Sequence, residues 1–344
     1  MKNEKILILY DKDEEYAHLM CEYLMGCRNL PWKVTACTSE ADLKMICDRV
    51  SPEVLVTTDS CYSGIVERMG AGKLVILNDS VRGRSAANVF RDELPGHGRV
   101  VIEKYQPAEE TLRAILEIYA GDLTDDEELP LIPSAERARI IGVFSPIRRC
   151  YQTTFSILMG RLLRSKGKVL YLSFEFCEGC EELVPPDGAG NLSDLMYFIK
   201  SQPSVFSVRF RSMVRKLGEL DYIPGAVSGT ELQEIPEEEW RTFLKRICAI
   251  EDYSYVILDL SESIRGIFGI LRMCDRVYTL TRNDRVAKRK LESYENILAM
   301  YEYSDVMEKS IRCSPPSVNR VPPFSGELQG GELIEYIRDQ IGVI

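Results

Sequence analysis

Short apolar runs recur along the first third of the chain and alternate with segments of helical spacing. The runs KILILY (5–10), EVLVTT (53–58), KLVILN (73–78) and RVVIEK (99–104) predict β-strands. Between them, segments such as EEYAHLMCEYLMG and AEETLRAILEIYA have apolar residues three and four positions apart, which predicts helices. The alternation predicts a doubly wound α/β domain over residues 1–120.

A second alternation begins after residues 121–137, whose acids and two prolines predict a linker. Predicted strands are RIIGVFS, KVLYLSF, YVILDL (255–260) and RVYTL (276–280). Predicted helices are TTFSILMGRLLRSKG, EEEWRTFLKRICAI, RVAKRKLESYENILAMYEY and the terminal GGELIEYIRDQIGVI. Nearly continuous apolar strands separated by helices predict a mainly parallel sheet covered on both faces over 138–344.

Length and charge fit two globular domains. The chain has 344 residues, which is more than a single core usually organises. Its net charge of −10 argues against strong nucleic-acid binding, although basic runs occur at 209–216 and 288–290. No apolar stretch approaches the roughly 20 residues of a membrane span, and the first apolar run is interpreted as a strand rather than a signal peptide. A cytoplasmic location is therefore expected.

The cysteines favour the same location. Eleven cysteines without regular spacing are typical of reduced core residues. Cys177 and Cys180 form one C-x-x-C pair, which can be half of a zinc site or a redox pair, but there is no second pair and both histidines are distant in sequence. No structural metal is expected.

The segment IIGVFSPIRRCYQTTFSILMG has the context of a phosphate-binding loop, because a predicted strand leads through a short loop to a helix that starts with two threonines. Such loops cradle phosphates with backbone N–H groups, glycines permit the turn, a Lys reaches the β- and γ-phosphates, and Ser or Thr binds Mg²⁺. The candidate nucleotide-binding residues are Arg148, Arg149, Cys150, Tyr151, Gln152, Thr153 and Thr154.

This segment resembles the deviant Walker A motif of the MinD/ParA family, K-G-G-x-G-K-[ST]-[ST]. In that alignment Tyr151 replaces the third Gly and Gln152 replaces the second Lys. The strand in SYVILDLSES resembles the family's Walker B strand, so that the resemblance implies ATP, with Mg²⁺ held by Thr153 and Asp259. Asp259 can instead be a strand-end carboxylate with a local hydrogen-bonding role.

A narrower resemblance covers nearly the whole chain. A receiver-like domain joined through a linker to a MinD-like domain is similar to the TadZ/CpaE family, the localisation factors of Tad (Flp) pilus assembly. One branch of that family has the loop S-P-x-x-R-C-G-K-[ST], and this chain has SPIRRCYQT at 145–153. The departures are then Tyr151 and Gln152. Tyr151 puts a side chain where backbone approaches phosphate, and Gln152 lacks the charge that assists hydrolysis.

The first domain resembles a response-regulator receiver, with a flavodoxin-like fold, but keeps few of the family's chemical groups. Asp11 matches one acid after the first strand, and Lys104 stands where the family keeps a lysine. The phosphoacceptor position falls at Thr58, whereas Asp59 is one place late. A module without phosphotransfer is therefore expected, and a registration that uses Asp59 is the alternative.

Three functions follow from these resemblances. The first is a pseudo-ATPase of the TadZ/CpaE type, a homodimer that binds pilus or secretion machinery and is recruited through partners to a cell pole or membrane complex. The second is an active MinD/ParA-type ATPase with a variant loop. The third is a receiver-linked regulator outside pilus assembly. The acidic terminal helix is unlike the basic helices that bind anionic lipid.

Overall fold

The structure is a computed structural model. It describes residues 5–27, 30–62, 71–79, 98–121, 137–177, 183, 190–201, 206–250, 253–318, 321–324, 326, 328 and 330–342. The chain divides into two compact units, one formed by Met1–Ile132 and Gln202–Ser212 and the other by Pro133–Ser201 and Met213–Ile344. The predicted linker lies outside the described residues except for Gly121 and Arg137, and so does Cys180.

The first unit contains a five-stranded parallel sheet. Its strands are β1 (Ile6–Tyr10), β2 (Lys33–Cys37), β3 (Val54–Thr58), β4 (Lys73–Asn78) and β5 (Gly98–Glu103). They pair in the order β2-β1-β3-β4-β5, the flavodoxin-like order of a doubly wound sheet. The helices are α1 (Glu14–Gly26), α2 (Glu40–Cys47) and α3 (Ala108–Gly121).

The helices of the first unit cover both faces of its sheet. Met20 of α1 and Leu116 of α3 are buried in one apolar cluster with Leu7 and Val56. Leu43 of α2 is buried in a second cluster with Ile8, on the other face. The near-continuous apolar strands of the sequence are explained by this burial on two sides.

The second unit contains a seven-stranded sheet. Its strands are β6 (Arg139–Phe144), β7 (Val169–Phe174), β8 (Arg215–Leu217), β9 (Leu220–Ile223), β10 (Tyr255–Leu260), β11 (Arg276–Leu280) and β12 (Ser310–Cys313). They pair in the order β12-β11-β6-β10-β7-β9-β8, and only β8 and β9 pair antiparallel. The predicted mainly parallel sheet is confirmed.

Nine further helices follow in the described residues. They are α4 (Gln152–Leu163), α5 (Leu192–Ser201), α6 (Phe206–Met213), α7 (Gly229–Glu234), α8 (Glu237–Ile250), α9 (Ile267–Met273), α10 (Arg285–Met300), α11 (Ser304–Glu308) and α12 (Glu332–Ile341). All but the last residue of α6 belongs to the first unit, where Val208 joins the apolar cluster that contains Leu7. Among the described residues, no helix is long and apolar enough to cross a membrane.

The order of the strands determines where the loops of the second unit meet. β6 and β7 are consecutive in the chain, but β10 lies between them in the sheet. Asp259 of β10 is therefore in register with Val143 of β6 on one side and Ser173 of β7 on the other. Ligands of open α/β sheets bind beyond the carboxyl ends of the strands at such a reversal, so this edge is where a site is expected.

Candidate functional site

The loop from β6 to α4 turns through backbone conformations that usually require glycine. Arg148, Arg149 and Tyr151 have φ values of 59°, 51° and 63°. In the part of the chain that the structure describes, only one other non-glycine residue has a positive φ. A left-handed conformation costs an L-residue roughly 1–2 kcal/mol, so the loop keeps the shape of a glycine-rich turn at an energetic cost.

Ser145 holds the start of this loop. Its hydroxyl donates to the carbonyl of Leu280 at the end of β11, at 2.9 Å, and accepts from the backbone N–H groups of Ile147 and Arg148 at 3.3 and 3.2 Å. The thiol of Cys150 also lies 3.0 Å from this oxygen and is buried. The turn is thereby fixed from inside, which offsets part of the backbone cost.

Gln152 links the loop to two neighbouring strands. Its amide nitrogen lies 2.7 Å from Oδ1 of Asp259, 2.9 Å from the carbonyl of Leu260 and 3.2 Å from Oε1 of Glu175. The two amide hydrogens are shared among three acceptors at the carboxyl ends of β10 and β7. The side chain that stands at the predicted lysine position is therefore directed at carboxylates within the protein.

Asp259 is enclosed by neutral donors. It is fully buried, with Gln152 on Oδ1 and the hydroxyl of Tyr171 on Oδ2 at 3.0 Å. Burial raises the pKa of the Asp259 carboxyl, and hydrogen bonds from Gln152, Thr153, Tyr171 and Ser156 offset only part of that rise. No contact with an ammonium or guanidinium group is recorded for this carboxyl among the described residues.

The two arginines of the loop differ in their partners. Arg148 forms an ion pair with Glu262, which follows β10, and this hydrogen bond raises the pKa of Arg148. The side chain of Arg149 is exposed, and its carbonyl accepts a hydrogen bond from the guanidinium of Arg282. An anion would have to compete with Glu262 for Arg148 but not for Arg149.

Tyr151 points its phenol away from the carboxylates. The hydroxyl accepts from the backbone N–H of Val318 at 3.3 Å and lies 3.4 Å from its carbonyl. Tyr151 is also the residue that precedes α4, and its side chain makes no capping hydrogen bond there. The first N–H groups of an α-helix have no partner within the helix, so those of Gln152, Thr153 and Thr154 remain available to an anion.

These residues line a cavity of about 330 Å³. Its walls contain every predicted nucleotide-binding residue of the loop, Arg148 through Thr154, together with residues that follow β7 and β10. Asp259 lies behind this wall and is reached through Gln152. Phe176 and Cys177 form an exposed part of the rim.

The donors of this cavity fit a phosphate group better than a metal ion. The uncapped turn of α4 and Arg149 supply N–H donors of the kind that bind phosphate. Both oxygens of Asp259 accept hydrogen bonds from Gln152 and Tyr171, so that a Mg²⁺ ion bound to this carboxyl would have to displace one of these donors. The Mg²⁺ site at Thr153 and Asp259 stays a prediction.

The predicted site of the first unit is closed by an ion pair. Nζ of Lys104 lies 2.8 Å from Oδ2 of Asp11, and both side chains are 3% exposed. Asp13, which the sequence did not single out, lies 3.5 Å from the same ammonium. Thr58 is buried and Asp59 is exposed in the turn that follows β3. The structure thus brings two of the predicted residues, Asp11 and Lys104, into contact.

The sequence missed two contributors to the second site. Tyr171 lies in a predicted strand, where its apolar neighbours concealed its hydroxyl group. Glu262 is three residues after Asp259 in a polar run that gives no pairing signal. The alternation of side chains along β7 could have identified Tyr171, because residues 171 and 173 share one face of the strand.

Comparison with known proteins gives a fold-level likeness. No protein-family model matches the chain, and no curated protein matches it. A plasmid partition protein of Borrelia burgdorferi B31 bound to AMPPNP is similar at 14% identity, with 61% of this chain and 100% of that chain covered and a TM-score of 0.45. A ParA family ATPase from Chlorobium tepidum TLS has 16% identity, coverage of 53% and 85%, and a TM-score of 0.41.

Apo McdA from Cyanthece is a third similar structure, at 18% identity, with coverage of 50% and 69% and a TM-score of 0.39. Since all three TM-scores lie below 0.5, the chemistry of the cavity is inferred from its own residues.

The free energy of unfolding of Asp259→Asn, relative to that of the wild type, should increase as pH rises. A raised pKa in the folded state means that wild-type stability falls as pH increases from the ordinary carboxyl range through the folded value, whereas Asn does not titrate. Thermal unfolding between about pH 4 and 8 should show a widening gain for the variant. Exposed Asp339→Asn is the control and should show no such trend. A gain that is constant with pH would contradict the burial argument.

Proposed function

We propose that this chain is a P-loop protein of the TadZ/CpaE type that retains a phosphate cradle but has lost ATP turnover. It acts as a localisation or scaffolding factor in a Tad/Flp-type pilus system. The observation that carries the loss of turnover is the position of Gln152, whose neutral amide is hydrogen-bonded to Asp259 and Glu175. Phosphoryl transfer needs positive charge at the transferring group, and an amide supplies none.

Nucleotide binding is supported separately by the anion donors of the loop. The uncapped α4 terminus and Arg149 favour a phosphate, and Thr153 and Thr154 lie in the same wall. Arg148 becomes available only when a ligand displaces Glu262. ATP is therefore proposed to bind weakly, without a requirement for Mg²⁺, and as a structural ligand rather than a substrate.

The localisation role is supported by the sequence resemblance and by the first unit. Its strand order is also that of receiver domains, and its buried Lys104–Asp11 pair replaces metal chemistry with a fixed internal charge. A receiver-like module of this kind suits docking rather than phosphotransfer. The proposed assembly is a homodimer that is recruited by pilus or secretion proteins.

Steady-state assays should find no ATP turnover by the wild-type protein above that of Asp259→Ala. The double variant Tyr151→Gly, Gln152→Lys restores the glycine that suits the positive φ and the ammonium that neutralises phosphate charge. It should show Mg²⁺-dependent phosphate release that the natural chain lacks. Hydrolysis of ATP by the wild-type protein that is abolished in Asp259→Ala would contradict the pseudo-ATPase assignment.

The cellular role is tested by a fluorescent fusion expressed in cells that assemble a Tad/Flp pilus. Foci at the assembly site should form with the wild-type chain and with Asp259→Ala alike, because recruitment does not need hydrolysis. Deletion of the gene should abolish piliation. Diffuse fluorescence with normal piliation in the deletion strain would instead favour a regulator outside pilus assembly.

A further inference from the structure

The cations at the start of α10 form a concentrated surface on an acidic protein. Arg282, Arg285, Lys288, Arg289 and Lys290 fall within nine residues that contain one acid, Asp284. All five side chains are exposed. The chain as a whole carries 53 acidic and 43 basic residues, so this segment differs in sign from the protein around it.

The geometry gathers these cations beside the candidate site. Arg285, Lys288 and Arg289 are three or four residues apart and share one side of the helix. Arg282 extends this surface to the phosphate-loop candidate, where its guanidinium contacts the carbonyl of Arg149. We define the basic face as Arg149, Arg282, Arg285, Lys288 and Arg289.

Most cations of the basic face have no carboxylate partner among the described residues. Asp284 is used as the cap of α10, since its Oδ1 accepts the N–H groups of Val286 and Ala287 at 2.9 Å. Arg289 pairs with Glu292 at 3.0 Å, but both side chains are well exposed and such a pair contributes little. In the ranges that the structure describes, no carboxylate lies within ion-pair distance of Arg149, Arg285 or Lys288.

The placement of the charges is also unfavourable for the helix itself. The first turn of α10 contains no acid and the last turn contains no base, the reverse of what the helix dipole favours. Cations near an N-terminus destabilise a helix, most of all at low salt. The stability of α10 therefore does not explain why these cations are there, whereas the binding of an anionic partner would.

We infer that the basic face is a docking surface for an acidic peptide segment of a partner protein. Val286 lies among the cations and is 66% exposed, so an apolar side chain of the partner would find a contact there. This pairing of charge and apolar surface is typical of peptide recognition rather than of a phosphate backbone.

The size and surroundings of the face also favour a peptide over nucleic acid. The helical part covers the first five residues of α10, roughly 8 Å at 1.5 Å per residue. Glu292 follows within one turn and pairs with Arg289, and Glu262 pairs with Arg148 of the loop that contains Arg149. A duplex would meet these carboxylates and the net charge of −10, whereas a short peptide needs only the face.

The test uses the full chain and fluorescence anisotropy of a labelled eight-residue peptide, Glu-Asp-Leu-Glu-Asp-Leu-Glu-Asp. The expected result is salt-sensitive binding that weakens about tenfold or more in Arg285→Glu, Arg289→Glu. The matched control is Lys166→Glu, Lys245→Glu, which changes the net charge equally at exposed positions outside the face and should leave the affinity within about twofold. Circular dichroism checks that both variants fold.

The competing partners are included in the same experiment. A peptide in which Gln and Asn replace the acids should not bind, and neither should a 20-base-pair duplex or vesicles with phosphatidylserine at the same salt. Equal weakening in both double variants, or binding of duplex or vesicles but not of the acidic peptide, would overturn the proposal. Because the peptide is tested without nucleotide, its failure would leave the pseudo-ATPase proposal untouched.

Discussion

The hydrogen bonds from the Gln152 amide to the carboxylates of Asp259 and Glu175 connect the three elements that form the candidate site. Gln152 begins α4, Asp259 lies in the central strand β10, and Glu175 follows β7. In an enclosed position with a low effective dielectric, a carboxyl group needs hydrogen-bond partners, and here they are the amide and the phenol of Tyr171. These hydrogen bonds satisfy the buried carboxyl group of Asp259 from within the protein.

As a consequence, the backbone of the loop from β6 to α4 and its side chains have to be considered separately. The loop still turns as a phosphate cradle does, with positive φ at Arg148, Arg149 and Tyr151, and Ser145 still braces it. Gln152 is neutral and hydrogen-bonded to carboxylates, and Arg148 is paired with Glu262, whereas the Arg149 side chain is exposed. Tyr151, which stands at a position suited to glycine, holds the backbone at Val318 instead. The loop therefore has structural uses that do not depend on turnover.

The sequence predicted the long strands and helices better than the contacts between side chains. Runs such as YVILDL and KLVILN are apolar throughout, and they became the buried strands β10 and β4, because parallel strands covered on both faces have that signature. The strands β2, β8, β9 and β12 were missed, since three to five residues carry too little pattern. Nor does any local pattern place Val208 in the core of the first unit, which depends on a long-range contact.

At the candidate site, the sequence identified several of the residues but did not predict which side chains contact each other. The resemblance to the Walker motifs put Thr153 and Asp259 in one site, and the strand order brings β6 and β10 side by side at one edge of the sheet. That Gln152 turns to Asp259, and Arg148 to Glu262, follows from side-chain directions that no linear pattern encodes. The same holds for Lys104, which was matched to the lysine of the receiver family and is buried against Asp11.

The most direct test of the internal pairing of Asp259 is the dependence of ATP affinity on Mg²⁺. Isothermal titration calorimetry of the full chain would compare ATP binding in excess Mg²⁺ with binding in EDTA. If Gln152 and Tyr171 occupy the carboxyl, the two dissociation constants should agree within about twofold. Each constant is calculated from the concentration of ATP that is not bound to the protein, with and without Mg²⁺. Binding that appears only with Mg²⁺ and is lost in Asp259→Asn would contradict it.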